Sequence, residues 1–126
     1  MLNKYKNEVR RGEIWLIDFG RQDGSEQSGI RPAVIISNNM NNRYSPVIQA
    51  IPITTAKKTK LPVHVRIGTN TGIKKPSIEL AEQDDTRDKK YLISKIGECD
   101  EKTLLQIEAA ILIQKGMDVN NHIRIA

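Results

Sequence analysis

The chain has one cysteine, two histidines and only 4% aromatic residues. A single thiol, Cys99, cannot close an intramolecular disulfide, which fits a reducing compartment. One cysteine and two histidines also supply too few soft ligands for an ordinary structural zinc site. With aromatics so scarce, the core must rest on Ile, Val, Leu and Ala. No run approaches the ~20 apolar residues of a membrane span. Met1 to Arg11 is mixed polar and charged, without the apolar stretch of a secretory signal. The expected setting is the cytoplasm, away from membranes. No repeat or low-complexity tract is present. At 126 residues, one modest core is available, and a TIM barrel or a two-domain dinucleotide enzyme is excluded on size.

What is present is basic and unevenly distributed. The net charge is +5. Residues 1–63 carry ten Lys/Arg against five Asp/Glu, whereas residues 64–126 carry ten of each. An anionic partner is therefore expected at the first half, and nucleic acid is the commonest such partner.

Hydrophobic patterning predicts about six short strands and one helix. Residues 12–19 are β-rich between Gly12 and Gly20, and residues 20–30 are loop by composition. Pro32 to Ser37 is a nearly continuous apolar run, suited to a buried strand. Asn38 to Ser45 reads as a polar turn with room for one short helical turn. Val47 to Thr55 returns to strand, with Pro52 at an edge or bulge. Val63 to Ile67, Ser77 to Ala81 and Tyr91 to Gly97 complete the strands, and Glu82 to Lys90 is expected to be loop. Asp100 is a good N-cap for a helix over 101–115 that Gly116 ends. Residues 1–9 read as a frayed lead-in and residues 117–126 as a mobile tail. Short strands joined by glycine-bearing loops suggest a small, strongly bent barrel.

The loop before the second strand carries the most chemistry. Gly24-Ser25-Glu26-Gln27-Ser28-Gly29 delivers the chain to Arg31-Pro32. Proline fixes its own backbone and biases Arg31 toward an extended conformation. The guanidinium is always charged, and its fork of donors matches a phosphate. On spacing alone, a loop carboxylate such as Glu26 is the more ordinary partner.

The strings Arg11-Gly12-Glu13-Ile14-Trp15 and Gly24 to Asn38 (GSEQSGIRPAVIISN) resemble the MazF/PemK (Kid) family of toxins. The similarity continues through Asn42 to Pro46, Ile53-Thr54, Leu61 to Val65, Glu82-Gln83 and the C-terminal helix. It implies one domain over residues 1–126, with its core at about 9–117. The implied fold is mainly β, a small SH3-like barrel with a C-terminal α-helix. The implied activity is that of a type II toxin: a metal-independent endoribonuclease that needs no cofactor and cuts single-stranded RNA at short motifs. A homodimer and a cognate antitoxin are the implied partners. By the same resemblance, the catalytic arginine and threonine fall on Arg31 and Thr54. The RNA-binding residues fall on Ser25, Glu26, Gln27, Asn38, Glu82 and Gln83. The chain departs from the family pattern at Arg21 and Asp23, and at Asp84-Asp85, where relatives follow Glu-Gln with Ile-Arg-Thr.

That chemistry suits these side chains. Without metal, the RNA's own 2′-OH attacks, and a phosphorane forms with extra negative charge. A preorganised cation and a hydroxyl aimed there are worth about 3–4 kcal/mol per donor in comparable oxyanion sites. Arginine, with a pKa above ~12, is a poor base. Glu26 and His64 are the candidates for that role. Lys57, beside Lys58 and Lys60, is placed to steer a phosphate backbone. The carboxylates Glu82, Asp84, Asp85 and Asp88 do not have calcium-loop spacing and read as a solvated acidic loop. Two other readings on the same fold are a gyrase poison and a non-catalytic RNA-binding barrel.

Overall fold

A computed structural model describes residues 8–55 and 61–118. Its elements run β1 (Glu13–Asp18), β2 (Ile30–Ile35), α1 (Asn39–Tyr44), β3 (Val47–Thr55) and β4 (His64–Ile67). Then follow β5 (Ser77–Leu80), β6 (Asp85–Asp88), β7 (Leu92–Glu98) and α2 (Glu101–Gln114). The seven strands form one antiparallel sheet in the order β4-β5-β3-β2-β1-β7, with β6 added to β3. The sheet bends into an incompletely closed, mainly β barrel, and α2 packs on one side against β4.

Two apolar clusters follow from strand alternation, because successive side chains face opposite sides. Ile14, Val34, Ile51, Ile53 and Ile67 form one with Ile107 and Ala110 of α2. Trp15, Ile17, Phe19, Ala33, Ile35 and Ile48 form the other. Val9 belongs to the second cluster and is buried. The lead-in is therefore anchored by residue 9, not frayed up to it. Residues 1–7 and the tail beyond Asp118 lie outside the described residues.

The long strand β3 organises the sheet by changing partners. Residues 47–50 pair with β6, and residues 53–55 pair with β5. Pro52, which has no N–H to donate, lies at that changeover while still opposite Ala33 of β2. β6 corrects the expectation of a loop over 82–90. Its sequence, Asp85-Thr86-Arg87-Asp88, has no apolar period. The strand forms because the outer edge of β3 offers unpaired backbone groups. At the other end, α2 begins at Asp100, whose carboxylate accepts Thr103 N–H at 2.7 Å, and ends at Gly116 with φ +70°.

The strings at Arg11 and Ser37 have structural explanations. Glu13 is buried and accepts from Arg10 N–H (2.7 Å) and Trp15 Nε1–H (3.1 Å), with Lys95 Nζ at 2.9 Å. Burial raises its pKa, but the Lys95 bond, the other donors and the Lys95 charge together bring it below the ordinary value. Asn42 is fully buried; its Nδ2 donates to Ser37 O, and its side chain also meets Ser37 Oγ. That Oγ in turn accepts Gln49 N–H at 3.1 Å, which fastens α1 to β3.

Candidate active site

The β1–β2 loop is pinched at its base. Phe19 N–H donates to Gly29 O (2.9 Å), and Gly29 N–H to Gly20 O (2.7 Å). Gly20 and Gly29 take φ +70° and +77°, a region costly for other residues. The pinch aims Ser28 O at Arg31, whose Nε donates to it at 2.7 Å. No ion pair to Arg31 occurs among the described residues. The carboxylate expected as its ordinary partner, Glu26, instead accepts Gly24 N–H at 3.1 Å. One edge of the guanidinium is thus fixed, and its two Nη nitrogens remain for a ligand.

Register brings Thr54 to Arg31. β2 and β3 pair through Ala33 and Pro52. Extended by two residues, that register points Arg31 toward Thr54, and both line one cavity. There the strands part, because β3 turns to β5 while β2 stays with β1. The gap is an open cavity of about 380 Å³ lined by Ser28, Gly29, Arg31, Thr54 and Ser77, among others. It offers a forked cation and hydroxyls, a set suited to an anionic tetrahedral or pentavalent phosphorus.

Ser77 was not singled out from the sequence. It stands opposite Thr55 in the β3–β5 register, and that pairing is the only signal that finds it. Its Oγ donates to Lys75 O at 2.9 Å, so its lone pairs remain as acceptors.

The other candidate residues divide between places. Glu26, Gln27, Glu82 and Gln83 line a second recess of about 200 Å³. Gln83 clamps the loop there: its Oε1 accepts Gln27 N–H (3.2 Å), and its Nε2 donates to Ser25 O (3.3 Å). Asn38 lies apart from both. Its side chain caps α1 by accepting Asn41 N–H at 2.8 Å, and it lines a cavity with Arg11 and Gln49. Lys57, Lys58 and Lys60 fall outside the described residues.

Neither base candidate lines the Arg31 cavity. His64 Nδ1 accepts Leu61 N–H at 3.3 Å, so its Nε2 carries the proton and donates to Glu82 at 2.9 Å. Arg87 is also committed elsewhere. It stacks on Tyr91, 4.2 Å from the ring centroid, and donates to Asp18 O at 3.1 Å. It does not line the recess. Cys99 is half-buried, and burial, with Asp100 and Glu79 nearby, pushes its thiol up to about 12. It is not a nucleophile at neutral pH. Among the described residues, no group of three or more His, Cys, Asp or Glu could hold a metal ion.

Fold and cavity together define a small bent barrel with a phosphate-sized, arginine-bearing opening at its rim. Residues 10–114 match the family described as PemK-like, MazF-like toxin of type II toxin–antitoxin system, and the chain belongs to it. It is 38% identical over 116 residues to an endoribonuclease MazF of Staphylococcus epidermidis, covering 90% of this chain and 97% of that one. A mycobacterial endoribonuclease solved in complex with its cognate antitoxin superposes with a TM-score of 0.74. That match has 26% identity and covers 87% of this chain and 97% of the other. MazF from Deinococcus radiodurans superposes with a TM-score of 0.77 at 24% identity, over 86% and 97% of the two chains.

Proposed function

We propose that this chain is the endoribonuclease toxin of a type II toxin–antitoxin pair, acting on single-stranded RNA in the cytoplasm without a metal. Family membership and the 38% identical endoribonuclease support the activity. A cognate antitoxin is the partner that family implies, and a homodimer is the working form. The observation that carries the mechanism is the juxtaposition of Arg31, whose Nη nitrogens are unpaired among the described residues, and Thr54 in one open cavity.

The 2′-oxygen bonds to phosphorus as its proton passes to water, and the bond from phosphorus to the 5′-oxygen breaks as that oxygen takes up a proton from water. Arg31 receives the negative charge that grows on the non-bridging oxygens, and Thr54 adds a hydroxyl donor. Ser77 Oγ, its proton already given to Lys75 O, is left to accept from the substrate. The products are a 2′,3′-cyclic phosphate and a 5′-hydroxyl. DNA, which lacks the 2′-OH, is spared.

The test is incubation of the purified protein with a long single-stranded RNA in EDTA, followed by end-group analysis. Cutting with cyclic phosphate ends is expected. Arg31→Ala is expected to lose about 100- to 1,000-fold in rate. Cutting that disappears in EDTA, or that survives Arg31→Ala undiminished, would falsify this reading.

A further inference from the structure

Arg31 depends for its place on the end of β1. Ile17 stands opposite Arg31 in the β1–β2 register, and Asp18 is the last residue of β1. Just past Asp18 come the two bonds that pinch the loop, Phe19 N–H to Gly29 O and Gly29 N–H to Gly20 O. Gly29 follows Ser28, whose carbonyl accepts Arg31 Nε–H. A shift at Asp18 therefore reaches Arg31 by two routes, the backbone ladder and the carbonyl that orients its side chain.

Arg87 holds that strand end from outside the ladder. It lies in β6 opposite Ile48 of β3, and β6 pairs with β3, not with β1. Its Nη2 donates to Asp18 O at 3.1 Å. A Cβ on Gly20 would lie 3.9 Å from the same nitrogen, so the guanidinium head sits against the root of the loop. Tyr91 braces that head by stacking, with its ring centroid 4.2 Å away. No carboxylate pairs with Arg87 among the described residues. Its Nε is out of solvent without a partner, a state that costs free energy. What the placement gains is the stack and one hydrogen bond, and that bond lands beside the residue opposite Arg31. The tip of the loop is held separately, by Gln83 through Gln27 N–H and Ser25 O.

We propose that Arg87, braced by Tyr91, is a positioning residue for Arg31: it fixes the root of the β1–β2 loop and so holds the Arg31 guanidinium at the cavity shared with Thr54. The same side chain links β1 to β6 and thereby to β3, the strand that carries Thr54, so it helps set the spacing of the two groups. For its effect on rate the inference rests on the endoribonuclease reading above. A misplacement of about 1 Å by a change far from the chemistry can cost about 100-fold, so a looser loop root lowers the rate while the cavity keeps its residues.

The experiment uses the full-length protein and two readouts. One is the exchange of Arg31 Nε–H with water, followed by NMR on nitrogen-15-labelled protein. The other is steady-state cleavage of a single-stranded RNA in EDTA. Arg87→Ala and Tyr91→Leu should each speed that exchange about tenfold or more, and each should lower kcat about tenfold with KM kept within about twofold. Tyr91→Phe retains the ring and should keep both readouts within about twofold of the parent. In an Arg31→Ala background, adding Arg87→Ala should cost less than about a further twofold, because the group it positions is gone. An exchange rate unmoved by both Arg87→Ala and Tyr91→Leu overturns the proposal. So does an equal tenfold loss in the Arg31→Ala background, which would make Arg87 a support of the barrel at large. A parent protein that cuts no RNA rejects the endoribonuclease reading, and the exchange rates then decide the role of Arg87 by themselves.

Discussion

Thr54 and Glu79 show how differently two half-hidden polar side chains act. Thr54 is half-exposed at the mouth of the Arg31 cavity. Thr54→Val keeps its shape and removes only the hydroxyl. We expect a rate loss of about 100-fold with an unchanged thermal midpoint, read by RNA cleavage beside thermal unfolding. Glu79 is fully buried, and neither carboxylate oxygen has a hydrogen-bond partner of good geometry. Burial first, and the Glu82 charge second, push its pKa up to about 8, against a weaker pull from the Val65 and Ala81 backbone. The unfolded chain releases this proton near the ordinary 4.5. The native state keeps it to about 8, so Glu79 favours the fold below the lower value. That advantage is lost as pH rises between them. Glu79→Gln should raise stability at pH 8 and flatten the pH profile across that window, as measured by urea midpoints. A midpoint lowered equally at every pH would show that Glu79 serves the fold in its ionised form. Arg31 stood out as a candidate through the family resemblance of its loop, whereas spacing alone pointed to a Glu26 partner, and Glu26 accepts Gly24 N–H instead. Glu79 was not legible, since a strand Ser-Ile-Glu-Leu gives no sign that its carboxylate faces the interior.

At the scale of elements, local chemistry announced some features and tertiary pairing made others. The α2 cap at Asp100, the stop at Gly116 and the role of Pro52 in β3 are properties of single residues, and they stood in the sequence. β6 depends on an edge of β3 some 35 to 40 positions earlier in the chain, and no local period betrays it. The same holds for Gly97 of β7. A Cβ there would lie 1.7 Å from Thr71 O and 3.1 Å from Gly72 Cα. Both neighbours are backbone, so they cannot swing aside as a side chain would. Gly97→Ala should cost about 3 kcal/mol in a denaturant titration. A loss below about 0.5 kcal/mol would mean that the turn at Thr69–Thr71 yields, and that β7 is held less tightly than the geometry requires.

On the whole molecule, α2 has two apolar faces and the barrel covers only one. Ile107 and Ala110 are buried, whereas Leu105 and Ile113 are 58% and 61% exposed, with exposed Ala109 between them at helical spacing. The sequence showed the excess of apolar residues in this helix, but not which face the barrel takes, because that depends on where β4 lies. An exposed stripe of this kind marks an interaction surface, and a second copy is the occupant consistent with the homodimer proposed above. In a two-fold assembly each substitution counts twice, once from each partner. Burying one leucine is worth about 1.5–3 kcal/mol, so Leu105→Glu should weaken self-association by at least about 100-fold. Sedimentation across a concentration series should show the variant as a monomer where the parent is a dimer, with the same thermal midpoint at low concentration. A variant that stays dimeric would place the contact on another face, and one that unfolds at low concentration would show that Leu105 supports the monomer itself.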